Sequence, residues 1–111
     1  MTEFKFNKRT TSLFTAILSL KSVSEAEAFF RDLCTAEELK EMTDRWEIAQ
    51  LVNDKLPYRE IAARLKTSTT TVSRVAAWLN DGRGGYRLAL ARLANSWSNN
   101  HHRNPFPKKR L

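Results

Sequence analysis

Residues 58–79 read YREIAARLKTSTTTVSRVAAWL, and the fold of the chain turns on them. Ile61, Ala62 and Leu65 share one face of a first helix predicted over residues 58–66. A tight turn at Thr67 and Ser68 follows, and a second helix starts at about Thr69. Val72, Val75, Ala76 and Leu79 then recur at i, i+3, i+4 and i+7, the spacing of a buried stripe. The opposite face opens with Thr69, Thr70 and Ser73, followed by Arg74. That is the layout of a helix-turn-helix: the small Ala62 lets the helices cross closely, and Val72 with Val75 fills the angle between them. Such a second helix points its N-terminal end into a DNA major groove, where hydroxyls and arginines meet phosphates and base edges. Many such units carry Gly in the turn, and Lys66 stands there, so it is expected to take positive φ. The plainer reading is a helical hairpin in which Ser68 or Thr69 only caps the second helix. Three successive threonines, poor helix formers, would suit that role as well.

The rest of the chain bounds the choice. With 111 residues it makes one domain, and its aromatics (Phe 6, Trp 3, Tyr 2) are enough for a core without disulfide or metal. Cys34 is alone and lies near Phe29, Phe30 and Leu33, which reads as a small core hydrophobe. No run approaches the roughly 18 apolar residues of a membrane span, and no secretory signal is legible. A cytoplasmic protein is expected. The net charge of +7 is unevenly spread. Residues 25–47 carry eight Asp or Glu against Arg31, Lys40 and Arg45, whereas residues 55–92 carry eight Lys or Arg against Glu60 and Asp81. Cationic charge thus gathers on the helix-turn-helix side, as a polyanion partner would require.

Helical patterning runs almost end to end, and no strand signal or repeat is present. Residues 1–10 read as a flexible basic arm, residues 11–98 as the helical domain and residues 99–111 as a flexible basic tail. A first helix is predicted over residues 11–20, with Leu13, Phe14, Ile17 and Leu18. A second follows with Ser24 as N-cap, burying Ala28, Phe29, Phe30 and Leu33. Thr35 and Glu38 form a capping box for a third, which buries Leu39, Met42, Trp46, Ala49 and Val52. After the helix-turn-helix and the turn DGRGG, a last helix runs from Tyr86 to about Trp97. The class is all-α with six helices. The first of them is too apolar to lie exposed in so small a chain, which predicts an obligate homodimer presenting two recognition helices to a palindromic site.

Together these segments resemble the tryptophan-repressor superfamily, most closely its YerC/YecD-type branch of small bacterial-type regulators. The resemblance spans about residues 13–93 and rests on LFTAILSLKSVSEAEAFFRDLCTAEEL, TTTVSRVAAWL and LNDGRGGYRLAL. It implies an intertwined helical dimer that regulates transcription, as a repressor, by binding double-stranded DNA. The matching DNA-facing positions are Arg59, Thr69, Thr70 and Ser73, with Lys66, Ser68 and Arg74 beside them. In the family two arginines sandwich an indole corepressor near a helix-start threonine, and the matching residues are Arg45, Arg74 and Thr35. Where the family has a glycine after the second arginine this chain has Val75, and Trp78 replaces a small serine. Both add bulk, so tryptophan is not expected as effector; with Thr71 these residues make the candidate effector pocket, and its occupant stays open.

Other chemistry is weakly signalled. His101 and His102 have no nearby Cys, Asp or Glu to complete a metal site, GRGG lacks the strand and lysine of a phosphate loop, and no catalytic triad is legible. Neither an enzyme nor a cofactor is expected. Two rival roles keep the same fold: a non-specific architectural protein of nucleoid type, and an adaptor whose helix-turn-helix docks a protein.

Overall fold

The helical run starts at Asn7, whose Oδ1 accepts the Arg9 and Thr10 N–H groups at 2.9 and 3.1 Å. Thr10 Oγ1 accepts the Asn7 N–H in return, at 2.8 Å. This capping box begins α1 (Lys8–Leu18) earlier than the apolar pattern does, so residues 8–10, read above as arm, form its first turn. The computed structural model describes residues 3–100; Met1, Thr2 and residues 101–111, which hold His101, His102 and most of the expected tail, lie outside them. Asn99 and Asn100, both assigned to that tail, end the last helix.

Five helices follow: α2 (Val23–Leu33), α3 (Ala36–Asn53), α4 (Tyr58–Leu65), α5 (Thr69–Asp81) and α6 (Gly85–Asn100). The described residues are all-α, with six helices and no strand. They divide into two units at Glu41 and Met42.

In the first unit, α2 is capped by Ser22, whose Oγ accepts the Glu25 N–H at 3.1 Å, and not by Ser24. The expected capping box at Thr35 is present in both directions. Thr35 Oγ1 accepts the Glu38 N–H at 3.0 Å, and Glu38 Oε1 accepts the Thr35 N–H at 2.9 Å. Cys34 is half-buried at the C-cap of α2 and is not a core residue. Phe6 packs between Phe4 and Phe14, with ring centroids 5.1 and 6.2 Å away. None of the described residues of this unit is buried in the single chain, including Ala28, Phe29, Phe30 and Leu33. Leu18 is 83% exposed.

The second unit holds the core: Ile48, Ala49 and Leu51 of α3, Ile61 and Ala62 of α4, and Val72 and Val75 of α5. On α3 the buried face is centred on Ile48 and Leu51, while Met42, Trp46 and Val52 are only partly buried. The stripe predicted from sequence is therefore offset to one side of the true seam. Lysines terminate both α3 and α4 in the left-handed region, Lys55 at φ 69° and Lys66 at φ 53°. At each end a following N–H reaches back to the last turn, Leu56 to the Leu51 carbonyl at 3.2 Å and Thr67 to the Ala62 carbonyl at 3.0 Å. These hydrogen bonds satisfy carbonyls that the helix leaves open. Gly82 closes α5: a Cβ there would lie 2.4 Å from the Trp78 carbonyl oxygen, so no other residue fits.

Candidate nucleic-acid interface

Two short helices and a tight turn carry the polar face read in the sequence. The α4 helix starts at Pro57, whose fixed φ suits a helix entrance and whose carbonyl accepts the Glu60 and Ile61 N–H groups at 3.0 and 3.1 Å. It ends at Lys66, which takes the positive φ that its place in the turn predicts. Ser68 then caps α5: its Oγ accepts the Thr71 N–H at 3.0 Å and lies 3.0 Å from Thr71 Oγ1. The buried stripe Val72, Val75, Ala76 and Leu79 pins the inner side of α5. That anchoring leaves Thr69, Thr70, Ser73 and Arg74 exposed on the outer side. Arg59 is exposed in the first turn of α4, and Lys66 and Ser68 are exposed in the turn. Arg64, by contrast, is held by Glu60 on its own helix at 2.6 Å.

Ser68 and Thr71 are thus committed to the cap. Among the described residues, no hydrogen bond engages the hydroxyls of Thr69, Thr70 or Ser73. An outward row of unengaged hydroxyls at a helix N-terminus, flanked by arginines, can donate to phosphate oxygens and to base-edge acceptors alike.

The residues expected around an effector have different surroundings. Thr35 spends its hydroxyl on the α3 cap, Arg74 faces solvent, and Val75, only 1% exposed, fills the core instead of walling a pocket. Arg45 and Trp78 do come together, on an open cavity of about 450 Å³ completed by Gly82, Arg83, Gly85 and Tyr86. Trp78 is 47% exposed there. The Tyr86 ring stacks on Trp46 with centroids 6.2 Å apart, which seats it half-buried. Burial pushes its phenol pKa up, against the opposing pull of the Arg45 guanidinium. Arg83 and Tyr86, which also line this cavity, are not among the residues expected from sequence, although they flank Gly84 and Gly85 shortly after Trp78.

Most of the chain is similar to known proteins. The sequence profile of the Trp repressor protein family matches residues 8–94. Uncharacterized protein YerC of Bacillus subtilis (strain 168) is 40% identical over 86 residues, covering 78% of this chain and 83% of that protein. The crystal structure of a TrpR-like protein from Eubacterium eligens ATCC 27750 superposes with a TM-score of 0.76 at 40% identity, over 79% of this chain and 91% of that one.

Proposed function

The chain belongs to the Trp repressor protein family, and we propose that it is a sequence-specific transcriptional regulator, a repressor, that binds double-stranded DNA as a homodimer. In this reading α4 and α5 form a helix-turn-helix with α5 as recognition helix. The observation that carries it is the outward row Thr69, Thr70 and Ser73 with Arg74, set directly opposite a fully buried stripe on the same helix. Such a helix cannot roll without exposing Val72 and Val75, so the polar row is presented in one orientation.

The dimer has its own support. Phe14, Leu18, Val23 and Leu33 are all exposed in the single chain, and α1 and α2 bury nothing. Large apolar side chains gathered on two helices mark a partner surface. A second copy supplies one and sets two recognition helices about a two-fold axis, which calls for a palindromic operator with half-sites about one helical turn apart.

DNA binding without tryptophan completes the proposal. Val75 is locked in the core, and Trp78 lines the cavity beside Arg45. The spacing of the recognition helices is therefore built into the packing and not set by an added indole.

Selection of bound sequences from a random duplex pool, followed by competition, tests the reading. A regulator recovers a palindrome and prefers it over random DNA by roughly 10³-fold or more. Equal affinity for both supports the architectural role instead. Binding that is weak and insensitive to salt favours an adaptor.

A further inference from the structure

Arg87, in the first turn of α6, ties three helix ends together. Its Nη2 donates to Asn80 Oδ1 at 2.7 Å, and Asn80 lies next to the end of α5. Its Nη1 donates to Asn53 Oδ1 at 3.2 Å, and Asn53 is the last residue of α3. The planar guanidinium fork can serve two acceptors at once, which an ammonium on a flexible stem cannot do in fixed geometry. Both acceptors are neutral amides, so the arrangement spends a full charge on orientation with no ion pair to show for it. It sits at the edge of a polar cavity whose wall also includes Lys55, Leu56 and Tyr58, where the chain leaves α3 and enters α4.

We propose that Arg87 is a positioning residue that sets the tilt of α5, and with it the reach of Thr69, Thr70 and Ser73 into the groove. The proposal rests on the DNA-reading role of α5 argued above. The lever is long. At about 1.5 Å rise per residue, Asn80 and Thr69 lie about 16 Å apart along the axis, so a tilt of about 10° at the clamped end moves the reading end by about 3 Å. A base-edge hydrogen bond does not survive a shift of that size. The buried stripe alone does not fix this angle, because apolar packing is non-directional and the α5 end beyond Leu79 leaves the core. The hydrogen-bonded fork supplies the missing direction.

The test uses the full-length protein, with Arg87→Ala, Arg87→Lys, Asn80→Ala and Asn53→Ala. Affinity is measured for the selected palindrome and for random duplex, alongside amide hydrogen exchange of the last turn of α5. Removing either partner of the Asn80 bond is expected to lower palindrome affinity about tenfold, the scale of a charge-assisted hydrogen bond, and to speed exchange at Gly82. Asn53→Ala should act in the same direction and more weakly, and Arg87→Lys should fail to rescue. The asparagine variants carry no charge change, so random-duplex affinity and the salt slope should hold in them. If Arg87→Ala weakens both duplexes alike while Asn80→Ala changes neither affinity nor exchange, Arg87 is a phosphate contact and the positioning role is overturned. If the unaltered protein shows no preferred duplex, the DNA reading of α5 fails by itself. Exchange then decides the clamp separately, and unchanged protection in both Arg87→Ala and Asn80→Ala overturns it.

Discussion

The Ser68 hydroxyl is committed to Thr71, accepting its backbone N–H at 3.0 Å and lying 3.0 Å from its Oγ1. A residue placed among the DNA-facing set is therefore first of all the cap of α5. Ser68→Ala is expected to destabilise the fold by about 1 kcal/mol in urea denaturation, the usual loss for such a cap. Ser68→Asp separates the two roles. It can keep the cap, so stability should stay near the starting value, while its negative charge beside a phosphate should weaken binding to every duplex. A Ser68→Asp protein that is as unstable as Ser68→Ala would show that the cap hydrogen bond is not what matters there.

Lys66 occupies the left-handed region at φ 53°, where a side chain is a small liability. Lys66→Gly should raise stability by about 0.5 kcal/mol, the relief of the Cβ strain outweighing the extra freedom given to the unfolded chain. In the same protein DNA affinity should fall for all sequences, because a cation has been removed from the turn, and the salt slope should flatten by about one unit. A gain in stability with unchanged DNA affinity would remove Lys66 from the interface.

The turn and the two helices around it are legible because their signals are local and redundant. Apolar spacing, the small Ala62, the polar start of α5 and the glycine-like position of Lys66 all agree. The starts of α1 and α2 are not, because the deciding groups are single polar side chains outside the apolar stripe. Asn7 closes its box with Thr10 where Glu or Gln is the usual partner, and Ser22 competes with an equally plausible Ser24. On α3 several apolar residues surround the helix, and only the tertiary packing against α4 and α5 selects Ile48 and Leu51 over Met42. The apolar character of Phe29, Phe30 and Leu33 signals a need for cover, but one chain does not provide it. The candidate effector residues are the least legible part, since they rest on correspondence with relatives: Val75 lies in the core, while Arg45 and Trp78 line a cavity with Arg83 and Tyr86.

Base reading and phosphate anchoring should separate by residue. Thr70→Ala and Ser73→Ala are expected to change the preferred sequence, at about 1–3 kcal/mol for each good base-edge interaction removed. Arg59→Ala should weaken specific and random duplexes alike and reduce the salt slope by about one. Parallel effects of all three substitutions on both duplexes would mean that α5 is not the reading helix.

The apolar face of α1 predicts what disrupts assembly. Leu18 is 83% exposed in the single chain, so Leu18→Glu disturbs no core packing within it. If a second copy covers this face, the substitution buries a carboxylate without a partner, and sedimentation should show monomer where the unaltered protein is dimeric. Affinity for the palindrome should fall far more than affinity for a single half-site. A Leu18→Glu protein that still sediments as a dimer would place the interface elsewhere.

Tryptophan should be without effect on this protein. An added indole needs space beside α5, and the two positions that would provide it are filled differently: Val75 by burial in the core, Trp78 by its own ring at the cavity next to Arg45. Calorimetry with free tryptophan should show no binding in the micromolar range, and operator affinity should be the same with and without it. A rise of about tenfold in operator affinity, equivalent to about 1.4 kcal/mol of coupling, would overturn built-in spacing. Opening either position by substitution tests the same point from the other side, and the structure gives the two positions different weights. Val75→Gly opens a cavity in the core and puts a glycine inside a helix, a loss of about 3 kcal/mol that would obscure any ligand effect. Trp78 is nearly half exposed, so Trp78→Ser should leave stability almost unchanged while emptying the cavity wall beside Arg45. That single substitution is therefore the cleaner probe. It should loosen operator binding, and free indole or tryptophan should restore part of the loss only if the ring of Trp78 holds the place that a ligand takes in related repressors.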